Sequence, residues 1–284
     1  MEVLLLGTGS ADGWPNAFCR CDSCTTQRAA GILRRPTSAL IDGRILLDLS
    51  PHVGHAAQVS GRDLAGLDAV FVTHAHNDHC DPAHLFYRQW VSAEPLPVYG
   101  PSAVVQAIRP WLDPAGSAVS LHAVTVGDVV AVAGYVVRVL PADHHAFGEA
   151  VLYDVTTPRG GRLLYATDTG PWTPRCLDLM RQARVATGRA YDVVLLEETF
   201  GLREREPGHH DLASFAAALE DLRREGLIDA ETGVVAVHLS HHNPPEGELT
   251  ARLDDLGARP GQDLEVRMVS QLSREPTSSR RLRN

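Results

Sequence analysis

The stretch Thr73-His74-Ala75-His76-Asn77-Asp78-His79 sets three imidazoles and a carboxylate side by side. It follows the apolar run Ala69-Val70-Phe71-Val72, which reads as a buried strand. Imidazole and carboxylate both suit zinc, iron or manganese, and side chains two residues apart on an extended segment point the same way. His74 and His76 can therefore grip one ion while Asp78 and His79, past the bend, reach toward a second. A single histidine in a polar loop usually does no more than bond a backbone carbonyl, but four metal-binding side chains this closely spaced argue for a metal site.

Such a site needs ligands from other segments to fix its geometry. His144, with His145 beside it, follows a strand-like run ending near Leu140; Asp168 follows a hairpin; His238 follows the run Val234 to Val237. The count suits two ions: His74, His76 and His144 on one, Asp78, His79 and His238 on the other, and Asp168 bridging them. A second concentration of ligands is Cys19-Arg20-Cys21-Asp22-Ser23-Cys24. Five cysteines, an odd number with three crowded together, suggest metal binding rather than a disulfide framework. Cys80 and Cys176 stand alone and read as small buried residues.

These residues must be carried by a fold. At 284 residues, 44% hydrophobic and 21% charged, the chain can bury a sizeable core in the manner of an ordinary globular protein. The net charge of -9 argues against a general affinity for nucleic acid. No apolar run approaches the roughly 18 residues that span a bilayer, and no basic segment precedes Val3 to Leu6, so no membrane association and a cytoplasmic location are expected. Oligomeric state is open, a homodimer included.

In chain order, Val3 to Leu6 predicts a first strand, emptying into Gly7-Thr8-Gly9-Ser10. The third glycine is displaced to Gly13 and no helix pattern follows, so this is a tight turn and neither a dinucleotide fingerprint nor a P-loop. Ser38 to Ile41 and Ile45 to Leu49 flank Asp42-Gly43 as a hairpin, with Asp48 near its end. A helix is expected from Pro82 to about Val91 and another over Ser102 to Trp111. Strands are expected over Val119 to Val124, Val129 to Val132, Tyr135 to Leu140, Ala150 to Thr156, Arg162 to Ala166, Asp192 to Leu196 and Val234 to Val237. Leu212, Phe215, Ala216, Leu219 and Leu222 have helical spacing, with Asp211 as N-cap and Gly226 as stop, and Leu249, Leu253 and Leu256 mark a last helix. A single domain over residues 1–272 is expected, with a frayed polar tail over 273–284.

The order of these motifs resembles the metallo-β-lactamase superfamily: H-x-H-x-D-H as His74 to His79, the aspartate in Tyr165-Ala166-Thr167-Asp168-Thr169-Gly170, and His238. The resemblance implies an α/β fold, a four-layer αββα sandwich with the metals at one edge of two sheets, and Asp48 supporting the ligands from behind. A narrower resemblance is to the cyclic-phosphate phosphodiesterases of the carbon-phosphorus lyase pathway. Cys19, Cys21 and Cys24 with His241 would there form a structural zinc site, a closed tetrahedral shell stapling the N-terminal loop to the C-terminal part of the core. In Gly208-His209-His210-Asp211-Leu212, His209 matches the histidine that acts at the substrate, with His210 its competitor. Counting back from Tyr153-Asp154 favours His144 over His145.

What the resemblance implies is a metal-dependent phosphodiesterase acting on a small, cyclic or open phosphodiester through a metal-bound hydroxide. Asp78 and His209 would be catalytic, with two divalent ions (zinc or manganese, or iron) at the active site and one structural zinc. A rival is the pyrroloquinoline-quinone biosynthesis protein, similar in its cysteine motif, which would bring oxidative chemistry on a single iron; a cobinamide-pathway role is another. Ribonuclease Z has a similar core, but no long basic insertion suited to tRNA is visible in this chain. Substrate contacts are expected in the loops Asp12 to Phe18 and Phe200 to Pro207.

Overall fold

β1 (Glu2–Gly7) buries both of its faces, Val3 and Leu5 in one apolar cluster and Leu4 and Leu6 in another, as the two-residue period of a strand requires. A strand apolar on both sides must lie in a sheet covered on both sides. The computed structural model describes residues 1–114, 116–145 and 147–269, without the side chain of His145; the expected tail over 273–284 lies outside the described residues. Within them the chain forms a first sheet from β1, β2 (Ser38–Ile41), β3 (Ile45–Leu47), β4 (Ala69–Phe71), β5 (Leu96–Gly100) and β6 (Val119–Ala123). A second sheet holds β7 (Val129–Val132), β8 (Tyr135–His145), β9 (Glu149–Thr156), β10 (Arg162–Ala166), β11 (Val193–Glu197), β12 (Gly233–Val237) and β13 (Ala258–Pro260). β14 (Val266–Met268) returns to pair with β1 at the edge of the first sheet.

Three apolar clusters separate four layers. Between the sheets lie Leu5, Phe71, Tyr153, Leu163 and Val235. Outside the first sheet, α2 (Val53–Val59), α3 (Ala83–Arg88) and α4 (Ser102–Ile108) contribute Val53, Ala56, Leu85, Val104 and Ile108. Outside the second, α5 (Pro174–Thr187), α6 (Leu212–Arg224) and α7 (Glu246–Asp255) contribute Met180, Phe215, Leu222, Leu249 and Leu253. The architecture is the expected αββα sandwich.

Strand direction decides where the chemistry lands. β10, β11 and β12 run parallel, so the residues at and beyond their C-terminal ends, Asp168, Glu197 and His238, emerge at one edge. β3 and β4 are also parallel and deliver Asp48 and His74 together. Asp48, Asp168 and His238 each have a positive φ, of 61°, 51° and 55°, which turns the chain sharply just after a strand. Non-glycine residues rarely adopt that backbone, and such strain gathers at functional sites.

Several element boundaries differ from expectation. β3 ends at Leu47, not Leu49, because Asp48 leaves the strand conformation. β8 continues past Leu140 to His145, so His144 lies on a strand rather than after one. The helix after Pro82 spans only Ala83–Arg88, and the 102–111 helix finishes as a 3-10 turn over Arg109–Trp111. Periodicity does not reveal α1 (Asp22–Ala30), α2 or α5. α5 is marked instead by its ends: Thr173 accepts from the Cys176 amide, Pro174 opens the first turn, and Gly188 closes it at φ 67°. α6 has the expected cap at Asp211, in a reciprocal pair with Ser214.

Candidate metal centre

At the shared edge the ligand atoms of His74, His76, His144 and Asp168 lie within 4.8 Å of one another, as do those of Asp78, His79, Asp168 and His238. Asp168 belongs to both groups. Two nitrogens each about 2.0 Å from a tetrahedral ion lie about 3.3 Å apart. Here His74 Nε2 is 2.9 Å from His76 Nδ1, His144 Nε2 is 3.4 Å from His76 Nδ1, and His74 Nε2 is 3.5 Å from Asp168 Oδ2. In the second group His238 Nε2 is 3.0 Å and His79 Nε2 3.3 Å from Asp168 Oδ1, with Asp78 Oδ2 2.9 Å from His79 Nε2.

The far nitrogen of each ring shows why these atoms point inward. His79 Nδ1 donates to Asp48 Oδ2 at 2.6 Å, and His144 Nδ1 to the Gly208 carbonyl at 3.1 Å. The Thr73 hydroxyl gives its proton to Asp48, leaving its oxygen to accept from His74 Nδ1 at 3.0 Å. The Thr199 hydroxyl likewise donates to Glu197 Oε2 at 2.5 Å and accepts from His238 Nδ1 at 2.9 Å. Four imidazoles therefore commit their Nδ1 protons outward and present Nε2 inward. Nε2 of both His79 and His238 is buried without a hydrogen-bond partner, which is the geometry a metal ligand needs.

Asp48 anchors this arrangement. Fully buried, its carboxylate also accepts from the Thr73 amide at 2.7 Å and the Tyr165 hydroxyl at 2.9 Å, so all its acceptors are used. Burial alone would push the cluster toward neutrality, and burial does hold His74 well below the usual imidazole range. For His79, burial is outweighed by Asp78, Asp168 and Asp48, which hold it charged well above that range. Burial likewise opposes ionisation of Asp168 and Asp78, yet the surrounding histidines, His238 and His79 for Asp168 and His79 and His238 for Asp78, keep both carboxyls below the usual carboxylate range. A divalent cation would supply the positive charge these carboxylates demand without the Nε2 protons. The donor set thus fits two ions of the hard or borderline kind.

His209 approaches this cluster from the loop before α6. Its ring centroid is 4.9 Å from that of His144 and 5.6 Å from that of His238. Its Nδ1 lies 3.2 Å from Glu197 Oε1, and although burial opposes the charge, that carboxylate pushes the imidazole up to about 9. His210 turns the other way, fully buried beside Trp172, with neither ring nitrogen bonded. Residue spacing did not point to Glu197 or Thr199. The signal that could have found them is the polar run Glu197-Glu198-Thr199 closing the apolar strand Val193 to Leu196, at the same edge as Asp168.

The second cluster is half-buried, with Cys24 fully enclosed. The ligand atoms of Cys19, Cys21, Cys24 and His241 fall within 4.8 Å of one another, His241 Nδ1 lying 3.5 Å from Cys19 Sγ and 3.9 Å from Cys21 Sγ. Cys21 caps α1 and Cys24 sits in its first turn, so the C-x-x-C spacing brings both sulfurs to one side. Three thiols and an imidazole, with no carboxylate in the group, suit zinc. Cys80 and Cys176 are buried and belong to neither ligand group.

A family model described as Beta-lactamase superfamily domain matches residues 43–242, which include the whole His74 to His79 segment, His144, Asp168, His209 and His238. Ribonuclease Z of Mycolicibacterium paratuberculosis is 26% identical over 266 residues, covering 86% of this chain and 86% of that protein. Among solved structures, a diphosphatase from the PhnP family superposes with a TM-score of 0.73 at 21% identity, covering 95% of this chain and 98% of its own. Zn(2+)-bound PqqB from Methylobacterium extorquens gives 0.66 at 19% identity, covering 94% and 100%.

Proposed function

The chain belongs to the beta-lactamase superfamily, and on that footing we propose that it is a metal-dependent phosphodiesterase acting on a small phosphodiester. The observation that carries this reading is the paired cluster sharing Asp168, with His209 held beside it by Glu197. When bound, two divalent ions supply Lewis acidity, which acidifies the attacking water toward neutral pH and neutralises charge on the phosphoryl oxygens. His74, His76 and His144 would hold one ion, Asp78, His79 and His238 the other, and Asp168 both. Asp78, ionised and buried, also orients the attacking water. His209 donates its Nε2 proton to the departing ester oxygen and is reprotonated from water, while Glu197, accepting from Nδ1, orients the ring and favours its protonated form. The Cys19, Cys21, Cys24 and His241 group would hold a structural zinc. A cytoplasmic location belongs to the same proposal, in keeping with five free thiols. No helix among the described residues is long and apolar enough to cross a membrane.

Two of the matched proteins support ester or anhydride chemistry at phosphorus by their names, ribonuclease Z and a diphosphatase. Ribonuclease Z favours a second reading, in which the diester is part of an RNA chain. Hydrolysis of bis(p-nitrophenyl) phosphate and cleavage of a precursor tRNA, run side by side, separate the two. The small ester should turn over, and His76→Ala or chelation should abolish that turnover. Turnover that survived both, or cleavage of the RNA alone, would overturn the reading.

A further inference from the structure

Phe147 is the residue at the mouth of this site that burial does not account for. It lies at the tip of the β8–β9 hairpin, two residues from the His145–Glu149 pair that closes it. Its side chain is 78% exposed, and its φ is 51°, a left-handed backbone that bulky side chains seldom adopt. An exposed phenyl on a strained backbone is unfavourable twice over for the fold alone, and outliers of that kind point to function. Two contacts lie beside the tip. β9 is tied to the strand exit by the Val151 amide bonding the Thr73 carbonyl at 3.0 Å, and Gly148 (φ 119°) lies so close to Ala103 of α4 that an added Cβ would stand 3.0 Å from its methyl.

The ring is aimed at the cluster. Its centroid is 5.4 Å from that of His76 at an interplanar angle of 89°, so the edge of one ring meets the face of the other. From there a line of rings crosses the mouth, His76 to His144 at 5.2 Å and His144 to His209 at 4.9 Å. Phe200, stacked on His242 at 5.1 Å and 11°, continues it beyond His209 at 5.8 Å. A phosphodiester has two arms, and the two ends of this line differ. The leaving arm belongs beside the proton donor His209, which puts the arm that stays on phosphorus at the Phe147 end.

We propose that Phe147 is a specificity-determining residue, a stacking platform for a planar base on the retained arm, so that the preferred substrates are phosphodiesters of nucleosides. This rests on the phosphodiesterase reading above and names its substrate class. A base offers its face to an aromatic ring whatever its hydrogen-bonding edge, so recognition here is of a nucleoside and not of one particular base.

The test compares thymidine 5′-(p-nitrophenyl phosphate), whose retained arm carries a base, with methyl p-nitrophenyl phosphate, whose retained arm does not. In the wild-type chain kcat/KM should favour the thymidine ester. Phe147→Leu should lower that ratio about tenfold, through KM, and Phe147→Trp should keep it. A wild-type ratio near one, or a ratio that Phe147→Leu leaves in place, overturns the proposal. If neither ester is hydrolysed, the phosphodiesterase reading has failed, and the platform is judged separately by calorimetric binding of thymidine 5′-monophosphate. A Kd about tenfold weaker in Phe147→Leu than in wild type then supports the platform, and an unchanged Kd or no binding to either overturns it.

Discussion

The inner and outer ligand clusters are built in opposite ways. Inside, His74, His79, His144 and His238 are each fixed by a second hydrogen bond from Nδ1, and the anchors Asp48, Thr73 and Thr199 are themselves buried. Outside, the sulfurs are held by little more than backbone amides, Cys21 N to Cys19 Sγ and Cys24 N to Cys21 Sγ, both at 3.4 Å. His241 there has only a distant carboxylate, Asp12 at 3.9 Å from Nε2. The fold gathers both ligand sets, but hydrogen bonds fix the inner one and few contacts fix the outer one. Under the proposed roles, the chemistry sits where strand ends fix the geometry, and the loop staple sits where few contacts do.

The largest effect that would sharpen this contrast lies at His209. On the proposed role as proton donor and not metal ligand, replacing it with alanine should lower kcat about 10^2- to 10^4-fold while metal content stays unchanged. Because Glu197 pushes this imidazole up to about 9, the acid form persists through neutral pH, and activity should fall as pH rises through about 9. Glu197→Gln removes the raising carboxylate, so the same alkaline limb should move to lower pH. A limb at unchanged pH in Glu197→Gln would break the assignment.

Next in size is Asp48→Ala. Cutting this anchor leaves His79 Nδ1 and the Thr73 and Tyr165 hydroxyls without their acceptor in a buried site. Metal affinity at the inner site should drop about 10- to 100-fold, with a stability loss of about 3 kcal/mol or more by denaturant unfolding. If affinity were untouched, the inner site would be no more pre-formed than the outer.

Smallest is Cys21→Ser, which should release one ion, speed proteolysis over residues 15–30, and lower Tm by about 2–4 °C if the staple contributes about 1 kcal/mol. kcat should change little. Loss of turnover in that variant would join the two clusters into one unit.

How much of this was legible follows the same division. His74, His76, Asp78, His79, Asp168 and His238 could be named because dense ligands at strand exits leave a local signature, and the structure brings them to one edge in the two groups expected. His144 joins them because β8 runs five residues beyond Leu140 and brings its ring to the first group. The supporting residues were not legible: Glu197 and Thr199 act through contacts between parallel strands that no spacing encodes. Phe147 lies in neither loop expected to contact substrate. The buried strands announced themselves by apolar runs, but α1 and α5 have weak apolar faces and are specified by their caps.

The account rests most on two ions sharing Asp168, and counting metal measures that directly. Elemental analysis of the purified wild-type chain should give about three divalent ions per chain, and Asp168→Ala about one, that one held by the cysteine cluster. A single ion in the wild type, or the same count in both, would contradict it.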